Sequence, residues 1–272
     1  MRAQITVLGV VQGVGFRPFV AECARTLSLR GSVCNSGGVV RIEAYGTKEA
    51  MEELVHRLRS CAPPAARVDR VIVEKEREAG AEPEDFLIVE SEAENGADLP
   101  LIPPDLPICA DCLAELGNPE NRRFRYPFIS CTACGPRYSI LEAIPYDREH
   151  ISMREYAMCP ECGREYRQPG GRRQHAQTIS CRDCGPQLIL SGREDSSSGS
   201  AGMASGLTSD AALSEAVRIL KEGGILAVKG IGGYQFACRP DREETVCRLR
   251  LLKGREKKPF AVMFPSLDGT HG

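Results

Sequence analysis

The chain has 272 residues, 42% of them hydrophobic, and 35 lysines and arginines stand against 37 aspartates and glutamates for a formal net charge of -2. That length and apolar content predict two or three domains with cores of their own. The near-neutral balance argues against the overall basic field that nucleic acid or an anionic membrane would require, and no apolar run reaches bilayer length. Met1-Arg2 runs straight into an alternating segment with no apolar leader pattern, so the expectation is a soluble, cytoplasmic protein without a membrane partner.

Ile5 and Val7 alternate with polar residues and predict a first strand within residues 4–10. After it comes Val10-Val11-Gln12-Gly13-Val14-Gly15-Phe16-Arg17-Pro18-Phe19, and Phe19, Val20, Cys23, Ala24 and Leu27 then recur at helical spacing until Gly31. Residues 31–36 and 39–46 read as strands joined by the tight turn Ser36-Gly37-Gly38. A second helix from Thr47 carries Ala50, Met51, Leu54, Val55 and Leu58 on one face, and strands over 68–76 and 86–91 close the unit. The order βαββαβ, with the run over 86–91 added after its last strand, predicts an α+β, ferredoxin-like unit over 1–92, an antiparallel sheet covered on one face by two helices.

The glycine loop is where chemistry is expected. Gly13 and Gly15 let consecutive N–H groups turn inward at a helix start, an anion cradle, and Arg17 adds a planar fork suited to phosphate oxygens. A plain strand-to-helix turn with a surface arginine reads the same residues as well, and Asn35 read plainly caps its own hairpin. VQGVGFRPF, followed on the second strand by Asn35, resembles the acylphosphatase family over residues 1–92. The resemblance implies that Gln12, Gly13, Val14, Gly15, Phe16 and Arg17 hold the phosphate of an acyl phosphate. It implies further that Arg17 stabilises charge and that Asn35 orients the attacking water, with no metal and no covalent intermediate.

Residues 93–107, with Pro100, Pro103, Pro104 and Pro107, read as a semi-rigid linker. The region 108–190 then carries four CxxC pairs, Cys109/Cys112, Cys131/Cys134, Cys159/Cys162 and Cys181/Cys184. Shifted by fifty positions, Glu115 falls on Glu165, Arg122-Arg123 on Arg172-Arg173, Ile129-Ser130 on Ile179-Ser180 and Gly135-Pro136 on Gly185-Pro186. Duplicated units this short lack a sufficient apolar core, so the spacing predicts two four-cysteine sites whose ions supply folding free energy, zinc being the ion that prefers them. Disulfides are the alternative, disfavoured by the regular spacing without a secretory signal. Sequential pairing of the CxxC units is the first choice and an interleaved one stays open. His150 and His175 are expected to make ordinary polar contacts. Arg122, Arg123, Arg125, Tyr126 and Phe128 admit a nucleic-acid-binding zinc ribbon as a rival function, opposed by the interspersed acidic residues Glu115, Glu120, Glu142, Asp147 and Glu165. The five unpaired cysteines, Cys23, Cys34, Cys61, Cys238 and Cys247, are expected to be small core residues.

Residues 191–209 are rich in serine and glycine and read as a flexible linker. Beyond it Leu213, Ala216, Val217 and Leu220 mark a helix stopped by Gly223-Gly224, and Ile225 to Val228 read as a short buried strand leading to Lys229-Gly230-Ile231-Gly232-Gly233-Tyr234. Asp241 and Glu244 form a capping-box pattern for another helix, which delivers Lys253, Arg255, Lys257 and Lys258. A glycine turn facing this basic cluster suits a polyphosphate; the same cations also complement a helix C-terminus.

Taken together, YPFISCTACGPRYSI, PYDRE, the RR-x-HAQ segment of 172–177, KGIGGY and the KPFAVM run resemble the HypF-type hydrogenase maturation carbamoyltransferases. Gln174, Gln235 and Arg239-Pro240 depart from that pattern. The resemblance implies an acylphosphatase-like domain, tandem zinc modules binding two Zn2+, and over 210–272 the start of an α/β YrdC-like domain that the chain ends before closing. It implies an enzyme that splits carbamoyl phosphate, activates carbamate with ATP at Lys229, Lys253, Arg255 and Lys258, and passes the carbamoyl group to a HypE-type partner toward cyanide-ligand synthesis. This chain is expected to keep acyl phosphate hydrolysis without completing transfer. A stand-alone acylphosphatase with a zinc appendage is the alternative enzyme.

Overall fold

The computed structural model describes residues 1–76, 83–91, 104–135, 137–192, 206–230 and 233–264. The chain divides into two units, Met1–Pro186 and Gln187–Gly272.

In the first unit β1 (Arg2–Val10) buries Ala3, Ile5 and Val7 on one face, as period-two alternation dictates. α1 (Phe16–Thr26) lays Phe16, Val20, Ala21 and Ala24 against them. β2 (Arg30–Ser36) and β3 (Val39–Tyr45) form the expected hairpin, in register from Arg30 opposite Tyr45 to Ser36 opposite Val39, with Gly37 at φ 54° in the turn. α2 (Lys48–Ser60) starts where the Thr47 hydroxyl accepts from the Ala50 N–H at 3.2 Å and adds Met51, Leu54 and Leu58 to the same core. β4 (Arg67–Glu76) and β5 (Phe86–Ile88) complete a five-stranded sheet in the order β4-β1-β3-β2-β5.

Two expectations need correction. The sheet is mixed, because β5 runs parallel to β2: after β4 on one edge, the chain returns to the opposite edge running in the direction of β2. The last strand also ends at Ile88 rather than at residue 91, leaving Ser91 to a polar role described below.

The cysteine-rich region repeats its backbone hydrogen bonds with its sequence. α3 (Ala110–Gly117) and α4 (Pro160–Arg167) each begin directly after the first cysteine of a pair. Arg125 and His175 both have left-handed backbones, at φ 58° and 53°, and donate to Leu116 O and Tyr166 O, each at 2.9 Å. Between the two modules lie short 3-10 turns at Tyr138–Ile140, Arg148–His150 and Ser152–Glu155, packed around Tyr146, Ile151 and Met153.

In the second unit β6 (Ile189–Leu190) pairs antiparallel with β7 (Leu207–Thr208), followed by α5 (Ser209–Lys221). β8 (Leu226–Gly230) and β9 (Gly233–Ala237) form an antiparallel ribbon, and α6 (Glu243–Lys253) ends at Gly254 with φ 56°. The sequence predicts a buried β8, but Val228 is 47% exposed, since no second layer covers that face among the described residues. The capping box also fails: Arg239 Nε holds Asp241 Oδ1 at 2.8 Å, and no side chain caps α6 at Arg242. Cys23 and Cys34 are buried as expected. Cys61 and Cys247 are instead exposed, the first because it ends α2 at the surface, and Cys238 is half-buried. Residues 93–103 and 193–205, most of the two expected linkers, lie outside the described residues, as do Ile231 and Gly232 of the glycine turn and Pro136.

Candidate active site and metal centres

The loop between β1 and α1 needs glycine for two reasons at once. Gly13 and Gly15 have φ of 72° and 76°, in the left-handed region. A β-carbon at Gly13 would also stand 2.6 Å from the Tyr146 ring, and one at Gly15 would stand 2.9 Å from Thr132 Cβ. The cysteine-rich region therefore lies directly against the loop. Gly15 is the N-cap of α1, whose first turn has N–H groups without intrahelical acceptors, the usual origin of an anion site.

Gln12, 5% exposed, ties this loop to its surroundings. Its Nε2 donates to Gly37 O and Val39 O, each at 3.0 Å, and its Oε1 accepts from the Tyr146 N–H at 3.0 Å. The loop is thus fixed to the turn that follows Asn35. Asn35 is fully buried, and neither its amide nitrogen nor its amide oxygen has a protein partner; the neighbouring Ser36 hydroxyl is likewise unpartnered. Leaving a buried polar group unsatisfied costs about 1–3 kcal/mol, a cost that marks a position built for something other than folding. Asn35 therefore does not cap its own turn.

Arg17, 9% exposed, sends its guanidinium away from solvent. Nη2 donates to Asp147 Oδ1 at 2.5 Å and Nη1 to Ser91 Oγ at 3.2 Å, while the Ser91 hydroxyl donates to Asp147 Oδ2. Beside this triad opens a cavity of about 360 Å³ lined by Arg17, Ser91, Asp147, Tyr166, His175 and Gln177, among others. Burial, and then the Arg17 charge, lower the His175 imidazole to about 4, so it is neutral at pH 7. Burial raises Tyr146 to about 12. Sequence reading does not single out Asp147, Ser91 or His175 as site residues; the only signals are PYDRE and HAQ, patterns that carry no assigned role there. His150 and His175 lie outside both metal clusters: His150 Nδ1 is 2.8 Å from Pro145 O, and His175 packs on the Tyr166 ring at 5.0 Å.

The eight cysteines form two clusters by sequential pairing, Cys109, Cys112, Cys131 and Cys134 in one and Cys159, Cys162, Cys181 and Cys184 in the other, with the sulfurs of each within 4.8 Å of one another. Cys109 and Cys131 sulfurs lie 3.6 Å apart, Cys131 and Cys134 3.9 Å, and Cys159–Cys181 and Cys181–Cys184 3.7 Å each. A tetrahedron with metal–sulfur bonds of about 2.3 Å has edges of about 3.8 Å, so the spacing fits zinc. Hydrogen bonds with Cys131 and Cys134 hold the Cys112 thiol well above its usual range, and bonds with Cys112 and Cys131 hold Cys134 well below. Four such sulfurs become thiolates together only around a cation.

Each cluster is braced by the arginines of the other module. Arg122 donates to the sulfurs of Cys159, Cys162 and Cys181 at 3.4, 3.5 and 3.1 Å and to Glu165 at 3.1 Å. Arg172 donates to Cys112 Sγ at 3.4 Å and to Glu115 at 2.7 Å. Arg123 Nε donates to Ser180 O at 2.8 Å and Arg173 Nε to Ser130 O at 3.0 Å, the same contact in both directions. With Arg123 and Arg173 only 1% and 7% exposed, these arginines are used inside the fold; of the run read as a nucleic-acid surface, Arg125 and Phe128 are the exposed members.

In the second unit Lys229 pairs with Tyr234 across the ribbon, on the same face as Phe236, and Lys253 Nζ stands 5.3 Å above the Phe236 ring. Arg255 lies 5.7 Å from the Phe260 ring, and Arg250 donates to the carbonyls of Arg255 and Lys258 at 3.2 and 3.0 Å, which holds that segment against α6. The structure thus brings Lys229 and Lys253 to one face and folds Arg255 and Lys258 into the adjoining segment. No helix among the described residues is long and apolar enough to cross a membrane.

Comparison with known proteins agrees with this division. The acylphosphatase family profile matches residues 3–88, the HypF finger profile residues 108–141 and 158–191, and the profile described as telomere recombination, of the Sua5/YciO/YrdC type, residues 218–271. Carbamoyltransferase HypF2 of Cupriavidus necator is 51% identical over 98% of this chain and 32% of its own length. An acylphosphatase of Deinococcus radiodurans is 44% identical over 29% of this chain and 92% of its own length. A full-length HypF solved in the phosphate- and nucleotide-bound form superposes with a TM-score of 0.86 at 40% identity, covering 98% of this chain and 33% of that one. The chain spans about a third of the length of the HypF relatives it matches. With an acylphosphatase unit, two four-cysteine fingers that fit zinc and the start of a YrdC-type unit in this order, the chain belongs to the HypF carbamoyltransferase family.

Proposed function

We propose that the first unit hydrolyses carbamoyl phosphate at the loop of residues 12–17. Loop N–H groups and the Arg17 guanidinium take the phosphoryl oxygens, and Asn35 holds the attacking water. The water oxygen bonds to phosphorus as the acyl oxygen–phosphorus bond breaks, and carbamate leaves. An acyl phosphate is already activated, so positioning and charge stabilisation suffice for the rest. The observation that carries this reading is Asn35: a fully buried amide with both polar atoms unpartnered, on the strand leading into the turn that Gln12 fastens to the loop.

The wider reading is the family's carbamoyl transfer, in the cytoplasm. Carbamate released here is activated with ATP, whose phosphates Lys229, Lys253, Arg255 and Lys258 would hold, and a HypE-type protein accepts the carbamoyl group. The two zinc ions, held by the eight cysteines, would brace the fold between these steps and take no part in hydrolysis. Phosphate release from carbamoyl phosphate by the whole chain tests the first step. Arg17→Ala and Asn35→Ala are each expected to lower it at least about 100-fold, the scale of losing a charge-stabilising donor. Rates equal to wild type would remove the assignment.

A further inference from the structure

We infer that Asp147 is a positioning residue for Arg17, so that the phosphate site is completed by the cysteine-rich region rather than by the acylphosphatase-like unit alone. This rests on the reading of Arg17 as the phosphate-holding group.

Three observations carry it. The Arg17 guanidinium is committed on one side: Nη2 to Asp147 Oδ1 at 2.5 Å and Nη1 to Ser91 Oγ at 3.2 Å, with Ser91 donating in turn to Asp147 Oδ2. Three groups from distant parts of the chain, residues 17, 91 and 147, close one ring of hydrogen bonds. Secondly, the place of Asp147 is set by the phosphate loop itself. The adjoining Tyr146 N–H donates to Gln12 Oε1 at 3.0 Å, and its ring lies where a side chain at Gly13 would have to be. Thirdly, this is no loose surface pair, for the Arg17 and Asp147 side chains are only 10% and 20% exposed.

The chemical consequence follows from what an arginine costs to order. A free arginine side chain loses rotamer freedom whenever its guanidinium is fixed against a ligand. Held along one edge by a carboxylate, it keeps its other N–H groups aimed before substrate arrives, and preorganised donors stabilise the transition state without that cost. The carboxylate also offsets part of the positive field, which weakens attraction for phosphate in the ground state. Removing its charge is therefore expected to divide the two kinetic constants: kcat falls while KM stays level or drops.

The test is steady-state hydrolysis of carbamoyl phosphate by the whole zinc-loaded chain, with inorganic phosphate as a competitive inhibitor. For Asp147→Asn we expect kcat lowered about tenfold or more, KM unchanged or lower, and phosphate inhibition as strong as in wild type or stronger. Asp147→Glu is expected to recover part of kcat, and formate to restore part of it in Asp147→Ala. Ser91→Ala, which loosens the carboxylate without touching its charge, should lower kcat several-fold and serves if the Asp147 variants fail to fold. Zinc content and melting temperature matching wild type identify the variants that count. An unchanged or higher kcat in Asp147→Asn, or a higher KM at constant kcat, overturns the inference. If Arg17→Ala is inactive in the same assay while Asp147→Asn is fully active, only the positioning role is lost. If Arg17→Ala keeps wild-type rates, the reading of the site falls first.

Discussion

Asn35 is destabilising where it stands. Its buried amide lacks the partners that nearly all buried polar groups have, so the fold carries a cost that the proposed chemistry repays. Replacing it with an apolar residue of similar size, Asn35→Leu, is expected to raise the unfolding free energy by about 1 kcal/mol while lowering phosphate release at least about 100-fold. Urea unfolding and a phosphate assay on one preparation check both halves. Gly13 and Gly15 show how much a sequence says at this scale. Their spacing announces a turn opening a helix, but not that Tyr146 and Thr132 press against them. Local patterns report backbone conformation, whereas contacts between segments far apart in the chain leave no periodic trace. For the same reason Arg17 can be proposed from the local glycine loop and Asn35 from the resemblance to acylphosphatases, while Asp147, which touches Arg17, is reached by neither.

At the scale of elements, the two cysteine modules act as one reciprocal clasp. The fifty-residue repeat is visible in the sequence, and with it the four-sulfur count of each module. The crossing-over is not: Arg122 reaches the sulfurs of the second cluster and Arg172 those of the first, because duplicated modules facing each other exchange equivalent contacts. Each four-thiolate site holding a divalent cation keeps a net negative charge, and the opposite module's arginine offsets it. A hydrogen bond to a charged group contributes about 1.5–3 kcal/mol, so Arg172→Ala should speed zinc loss from the Cys109 cluster about tenfold or more and Arg122→Ala that from the Cys159 cluster. Zinc release to a colorimetric chelator checks this, and equal rates in wild type and both variants would contradict it. The strand pattern is less complete. β5 is legible as a strand, yet its parallel pairing depends on where the chain crosses the sheet, which alternation of side chains does not encode. β9 is not legible, since Tyr234 to Ala237 look like the end of a glycine turn until paired with β8.

For the whole molecule, the first unit joins an α+β sheet to a cysteine-rich region that reaches the glycine loop proposed to hold phosphate, and the second carries the basic ribbon face proposed for nucleotide. Family membership is legible because motifs from all three segments agree, each in its expected order. The central claim concerns bond cleavage at phosphorus in a site that only the folded first unit assembles. Hydrolysis of carbamoyl phosphate by the whole chain in water enriched in heavy oxygen, read by the isotopic mass of the released phosphate, tests it most directly. One solvent oxygen per phosphate, formed at a rate that Arg17→Ala abolishes, is the result predicted. Unlabelled phosphate, or labelling unchanged by that substitution, would contradict the account.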